Sequence, residues 1–194
     1  PLSIGMYAVR LAGDIRGKTV GILGSGPIGL SVLLSAAAAG AGSIYVTDKI
    51  DERLAVASVA GAGWTGNVDS TDIVSGILER EPDQLSVVFE CCGKQEAADQ
   101  AIRILKPGGR LMIVGIPEFE RWTFGSDDVR RKEICIQNVR RQNDTVAETL
   151  QMMASGTLRP DMMQTHDFSL DQTGEAFEIV AGYRDGVMKA MIHL

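Results

Sequence analysis

Residues 18–23, KTVGIL, run straight into GSGPIG at 24–29, and an apolar helical pattern begins at Pro27. Few sequence features limit a fold so tightly. Gly24, Gly26 and Gly29 stand in the spacing G-x-G-x-x-G between a strand and a helix. Gly24 permits the tight turn, Gly26 lets backbone approach a bound pyrophosphate, and Gly29 lets the helix lie close against the sheet. Pro27 falls in the first helical turn, where its missing N–H would be unpaired anyway. Ile28 completes the turn. The free N–H groups and the positive dipole end of the helix suit an anion. Asp48 ends the next apolar run, SIYVTD at 43–48, about 20 residues further on. A carboxylate there accepts hydrogen bonds from adenosine ribose hydroxyls and repels a 2′-phosphate, which favours NAD over NADP. The neighbouring cations Lys49 and Arg53 pull the other way. Glycines that merely serve a turn, with an aspartate that merely ends a strand, are the bland alternative. The strand–turn–helix context and the acid together point to a dinucleotide site.

The rest of the chain repeats the rhythm. Residues 27–39 read as a helix, with Leu30, Leu33, Leu34 and Ala37 on one stripe. Asp51 is placed to cap a helix through about Ala60, and TGNV (65–68) reads as a short third strand. Helices are expected near 72–81 and 95–105, around the strand LSVVFECC (85–92). KPGGR then forms a tight turn, with proline fixing φ and Gly108 allowing φ > 0. RLMIVGI (110–116) and ICIQNV (134–139) follow as fifth and sixth strands. Apolar strands without clean alternation, separated by helices, indicate a parallel sheet covered on both faces. The expected fold is therefore α/β: a Rossmann, doubly wound, six-stranded parallel sheet. Residues 1–155 read as the dinucleotide-binding domain with its leading helix, and 156–194 as a return segment. That tail carries helices near 145–155 and 171–181 and a final strand in VMKAMIHL.

Composition narrows the function classes. A net charge of −6 argues against nucleic acid and anionic membrane surfaces as partners. The longest apolar run, 28–41, is broken by Gly29, Ser31, Ser35 and Gly40 and is too interrupted for a membrane span. No basic leader is visible at the start. Three cysteines without a C-x-x-C suit a reducing cytoplasm and supply neither a disulfide framework nor a zinc ribbon.

With those residues in place, the chain resembles the cofactor domain of the medium-chain, zinc-dependent alcohol dehydrogenases, and most of all their sorbitol (polyol) dehydrogenase branch. The likeness is carried by PLSIGMYAVRLAG (1–13), GSGPIG (24–29), YVTD (45–48), VFECCG (88–93), LKPGGRLMIVGIP (105–117), NVRRQN (138–143) and THDFSLDQTGEAFEIV (165–180). No single motif is unique; their order and spacing are. The resemblance implies that Cys91, Cys92 and Gly93 lie near the nicotinamide and its ribose. It implies that Val114, Gly115 and Ile116 offer backbone groups to the nicotinamide carboxamide. Val139, Arg140 and Arg141 stand where the polyol branch commonly reads Phe-Arg-Tyr. Arg140 is then a substrate or cofactor contact, and Arg141 is a departure that bears on polyol specificity. The bland readings are that Cys91 and Cys92 are small buried residues and that the arginines form a solvated face.

The resemblance implies hydride transfer between a small alcohol and NAD, with zinc as Lewis acid on the alcohol oxygen. It also implies that the zinc ligands lie outside this chain, in a separate catalytic domain toward which 156–194 would pack. His166 and His193 read as structural residues of the tail. The chain opens at Pro1 rather than methionine, which suggests a piece of a longer protein that binds cofactor but does not turn over alone. A stand-alone NAD(H)-binding sensor or regulatory module is the competing class, and an S-adenosylmethionine-binding enzyme a more distant one. Finally, EFERWTF (118–124) carries Phe119, Trp122 and Phe124 on what the resemblance makes an edge strand. A homodimer through that segment is expected, against the alternative that its aromatics tuck into their own domain.

Overall fold

The computed structural model describes all 194 residues. Six strands form its centre: β1 (Val20–Leu23), β2 (Ile44–Asp48), β3 (Trp64–Asn67), β4 (Leu85–Glu90), β5 (Leu105–Ile113) and β6 (Cys135–Asn138). All pair in parallel, in the order β3-β2-β1-β4-β5-β6. This is the doubly wound α/β sheet expected from the strand–helix rhythm.

The alternation of side chains along each strand divides the interior into two cores. Val20 and Ile22 of β1, Ile44 and Val46 of β2, and Val87 and Phe89 of β4 face the first. Leu23, Tyr45 and Val88 face the second. Helices α1 (Leu2–Ala12), α2 (Pro27–Ala38) and α3 (Asp51–Val59) supply the first core. Helices α4 (Ile73–Arg80) and α5 (Gln95–Ile104) supply the second. Both faces being covered, β1, β2 and β4 are buried throughout their length.

Helix α2 is wedged between the sheet and α1, so every residue from 29 to 36 is buried. Its two interior serines are satisfied within the helix: Ser31 Oγ donates to Pro27 O at 2.5 Å and Ser35 Oγ to Ser31 O at 2.7 Å. The crossing with α1 is close enough that a Cβ on Gly5 would run into the backbone of Ser31. On the other face, α5 ends with its chain turning extended at Leu105 rather than in a glycine cap. Lys132 takes over that duty, its Nζ donating to the carbonyls of Ile102, Arg103 and Leu105 at 2.7–2.9 Å. Burial there holds its ammonium below the usual lysine range.

Beyond the sheet lie α7 (Val146–Ala154), a 3-10 turn at Pro160–Met163, β7 (His166–Ser169), α8 (Thr173–Ala181) and β8 (Ala190–His193). β7 and β8 pair as a separate two-stranded parallel sheet. Leu158, Met163 and Met188 of this tail insert into the first core.

Four local expectations differ. The fifth strand, expected at 110–116, runs Leu105–Ile113 and takes in the expected KPGG turn, which bulges out between Leu105, paired with Leu85, and Arg110, paired with Val87. Asp51 is the first helical residue of α3, not its cap, and its carboxylate accepts from Asn67 Nδ2 at 2.6 Å. A short helix, α6 (Ser126–Arg131), forms where none was expected; Asp127 pairs with Arg130 and Arg131 one turn on. Residues 118–124 form no regular strand. Trp122 and Phe124 pack on the second core, and Phe119 meets Trp122 edge-to-face at 4.8 Å between ring centroids. Apolar burial within the chain is what competes with an extended edge. No helix is long and apolar enough to cross a membrane.

Candidate functional site

At the carboxyl end of β1 the chain turns with Gly24 at φ +99°. Gly29 packs so tightly that a Cβ there would overlap the carbonyl of Gly24, and no side chain is tolerated. Pro27 opens α2 as its first residue. The amides of Gly26, Ile28 and Gly29 find no acceptor among the turn, loop and cap hydrogen bonds. Such a trio of N–H groups on a helix N-terminus is an anion cradle. Glycine where a Cβ would close the turn, together with these unpaired amides, fits a pyrophosphate.

Asp48 ends β2 beside this cradle, and only 9% of it is exposed. Oδ2 accepts from the amide of Ser25 at 2.6 Å; Oδ1 accepts from the amides of Lys49 and Ile50 at 2.8 and 3.0 Å. The carboxylate thus ties the glycine turn to the second strand; Oδ1 is filled by its two amides, and Oδ2 keeps a lone-pair direction for a ribose hydroxyl. Arg53, one turn into α3, is buried alongside Gly26. Its Nε and Nη2 donate to the carbonyl of Val187 at 3.3 and 2.8 Å. Lys49 Nζ and Arg53 Cζ lie 5.4 and 5.3 Å from the ring centroid of Tyr183.

The sheet order sets β4 on the other side of β1. A Cβ on Gly24 would touch Cys92 Cβ at 3.0 Å, so the glycine turn abuts residues 91–92 directly. Crevices of this kind, where the strand order reverses between parallel neighbours, are where open α/β sheets take ligands. Residues 91–93, 114–116 and 139–141 follow β4, β5 and β6 in adjacent positions along the same edge. Val114 and Val139 are buried; Ile116, Arg140 and Arg141 are exposed, with Arg141 at φ +54°.

Glu90 holds this second half together. Nothing of it is exposed. Oε1 accepts from the amides of Cys92 and Gly93 at 2.9 and 2.6 Å and lies 3.1 Å from the Cys92 sulfur. Its backbone carbonyl accepts from Val114 and Gly115, both at 2.9 Å. Oε2 has no partner and lies 2.6 Å from where a Cβ on Gly115 would be. Gly93, at φ +70°, is pressed against the Ile116 carbonyl. Burial, then the Glu90 carboxylate, push both thiols up, Cys92 to about 12. Although Cys92 is exposed as a residue, its sulfur is turned against the carboxylate. Both therefore stay protonated at neutral pH, unsuited to nucleophilic duty.

The structure thus gathers all seventeen expected cofactor residues along the carboxyl edge of the sheet. Three contributors escaped the sequence reading: Glu90, Tyr183 and the Val187 carbonyl. A lone acid at the end of the apolar LSVVFE was the signal for the first; nothing local marked the other two. No group of three or more His, Cys, Asp or Glu side chains is placed to hold a metal.

Comparison with known proteins agrees with this geometry. Residues 27–155 match the family model described as zinc-binding dehydrogenase. The chain belongs to the zinc-binding dehydrogenase family. The rat sorbitol dehydrogenase is 36% identical over 185 residues, covering 92% of this chain and 50% of its own length. The 2R,3R-butanediol dehydrogenase of Bacillus subtilis superposes with a TM-score of 0.91 at 28% identity, over all of this chain and 56% of its own. A zinc-binding dehydrogenase from Sinorhizobium meliloti, solved with NADP, gives a TM-score of 0.91 at 27% identity, over all of this chain and 57% of its own. The chain spans about half the length of the curated relatives it matches, and the matched region is the family's NAD-binding domain.

Proposed function

We propose that this domain seats NAD(H) across the carboxyl edge of its sheet, in the service of hydride transfer to and from a small secondary alcohol or polyol. The reading rests on one observation above the others: three unpaired amides on the α2 N-terminus, flanked by a carboxylate at the end of β2. Gly26, Ile28 and Gly29 donate to the pyrophosphate, and Asp48 accepts from the adenosine ribose. Cys91, Cys92 and Gly93 form one wall of the nicotinamide seat, and the backbone of Val114, Gly115 and Ile116 the other. Val139 carries Arg140 and Arg141 to the open side, facing cofactor or substrate. Bound there, the nicotinamide supplies the hydride chemistry; the chain orients it and keeps water from its buried face.

The side chains of this chain do not fit a catalytic zinc, which needs about three convergent protein ligands. Those ligands belong to another part of a longer polypeptide, toward which 156–194 packs while 1–155 holds the cofactor. Residues 118–124, whose exposed positions lie beside the aromatics packed on the second core, pair two copies in a homodimer, and light scattering across a concentration series tests that pairing. The cofactor reading is tested by titrating the chain with NADH and with NADPH, following Trp64 and Trp122 fluorescence with calorimetry as a second readout. Saturable NADH binding, much tighter than NADPH, is expected. Binding of neither overturns the reading; a preference for NADPH overturns Asp48 as selector.

A further inference from the structure

The turn between α8 and β8 is built from unusual backbone. Tyr183, Asp185 and Gly186 have φ of +49°, +55° and +62°, and two of the three carry side chains that disfavour the left-handed region. Such a conformation persists only where surroundings fix it, and here three anchors do so. Arg53 holds the Val187 carbonyl through two donors. Gly186 lies so close to α3 that a Cβ would sit 2.6 Å from that of Glu52. Asp185 Oδ2 meets His166 Nε2 at 3.1 Å. The result is a tyrosine that is 58% exposed, yet held over Lys49 and Arg53.

These two cations are the ones that follow Asp48, Lys49 on the β2–α3 connection and Arg53 in the first turn of α3, beside where a 2′-phosphate on the adenosine ribose would lie. A 2′-phosphate needs an unengaged cation. Arg53 is already committed, with two hydrogen bonds to a carbonyl and one face toward the Tyr183 ring. Lys49 Nζ is drawn to the same ring. We propose that the 183–187 turn is a cofactor selector: by engaging Lys49 and Arg53 it withholds both from a 2′-phosphate, and so completes the discrimination begun by Asp48. This rests on the NAD(H) reading above and adds to it a specificity element more than 130 residues away in sequence.

The test measures Kd for NADH and NADPH, by fluorescence and calorimetry, on the wild-type chain and on Y183L and Y183F. Leucine keeps the left-handed strain comparable while removing the π face; phenylalanine keeps the face. Y183L should tighten NADPH about three- to tenfold, the size expected on releasing one or two exposed cation–π contacts, with NADH within about twofold. Y183F should behave as wild type. Adding K49M to Y183L should cancel the gain, as should raised salt. An unchanged NADPH:NADH ratio in Y183L, or an equal shift in Y183F, overturns the selector while leaving the NAD(H) reading intact. Absence of binding by the wild-type chain overturns the NAD(H) reading itself.

Discussion

The two halves of the candidate site are built by opposite means. On the β1–β2 side the geometry is backbone geometry: glycines at 24, 26 and 29, a helix N-terminus, and one acid that ties neighbouring strand ends together. Everything needed lies within about 25 residues of sequence, so the motif can be read directly. On the β4–β5 side the seat is clamped by a single buried side chain, Glu90, which gathers amides from the turn after its own strand and, through its carbonyl, two from the end of the next. The first half tolerates no added atom at Gly29; the second, as crowded at Gly93 and Gly115, also tolerates no lost acceptor. A site of this kind is vulnerable to crowding at both ends and, at the second, to unsatisfied polar groups as well.

The difference can be broken most severely at Gly29. G29A forces a methyl into the Gly24 carbonyl, and the turn must open. We expect a loss of about 3 kcal/mol in stability by urea unfolding, and NADH binding weaker by more than about a hundredfold in calorimetry. If G29A binds normally, the close packing of this turn is not what shapes the cradle. At the other end, E90A strips the Cys92 and Gly93 amides of their acceptor and should cost about 2–4 kcal/mol, whereas E90Q, which retains an acceptor oxygen, should cost about 1 kcal/mol. Equal destabilisation by the two variants would place the role of Glu90 in its volume rather than its hydrogen bonds.

A gentler probe uses the thiols. At pH 8 iodoacetamide should label exposed Cys135 first, with Cys92 slower by about a hundredfold because so little thiolate forms when burial and Glu90 hold its pKa near 12. Mass spectrometry of the digest reads this, and denaturant should level the rates. In E90Q the Cys92 rate should rise, since part of the upward push comes from the carboxylate. Rapid labelling of Cys92 in the native wild type would contradict the sulfur's place against Glu90.

How much the sequence disclosed follows the same division. The sheet, the boundaries of every strand but β5 within a residue or two, the glycine turn and Asp48 at the end of β2 were legible because each is a local pattern of burial or backbone freedom. Helix α6 was not, because SDDVRR carries no apolar period and is held by charge pairs one turn apart. The aromatics of 118–124 read as an edge on the strength of the resemblance; in the fold Trp122 and Phe124 pack on the second core instead. Lys132 stands in sequence as one of three consecutive cations, Arg130–Lys132, and only the fold shows it capping α5 from 27 to 30 residues away. Tyr183 sits in a segment whose sequence announces no ligand at all, since its meaning comes wholly from what it folds against.

The order of the strands also sets a schedule. β1 lies between β2 and β4, so the strand that ends in the glycine turn is complete by Leu23 yet gains its second neighbour only with Val87–Glu90. Parallel pairing across so long a stretch of chain is slow, because loop closure must precede the contacts that reward it. Cys91 and Cys92, which back the turn, arrive at that same late moment. Nucleotide capture during refolding should therefore appear with the closing of the β1–β4 seam and not with the earlier β1–β2 pair, making the ligand a clock for completion of the sheet.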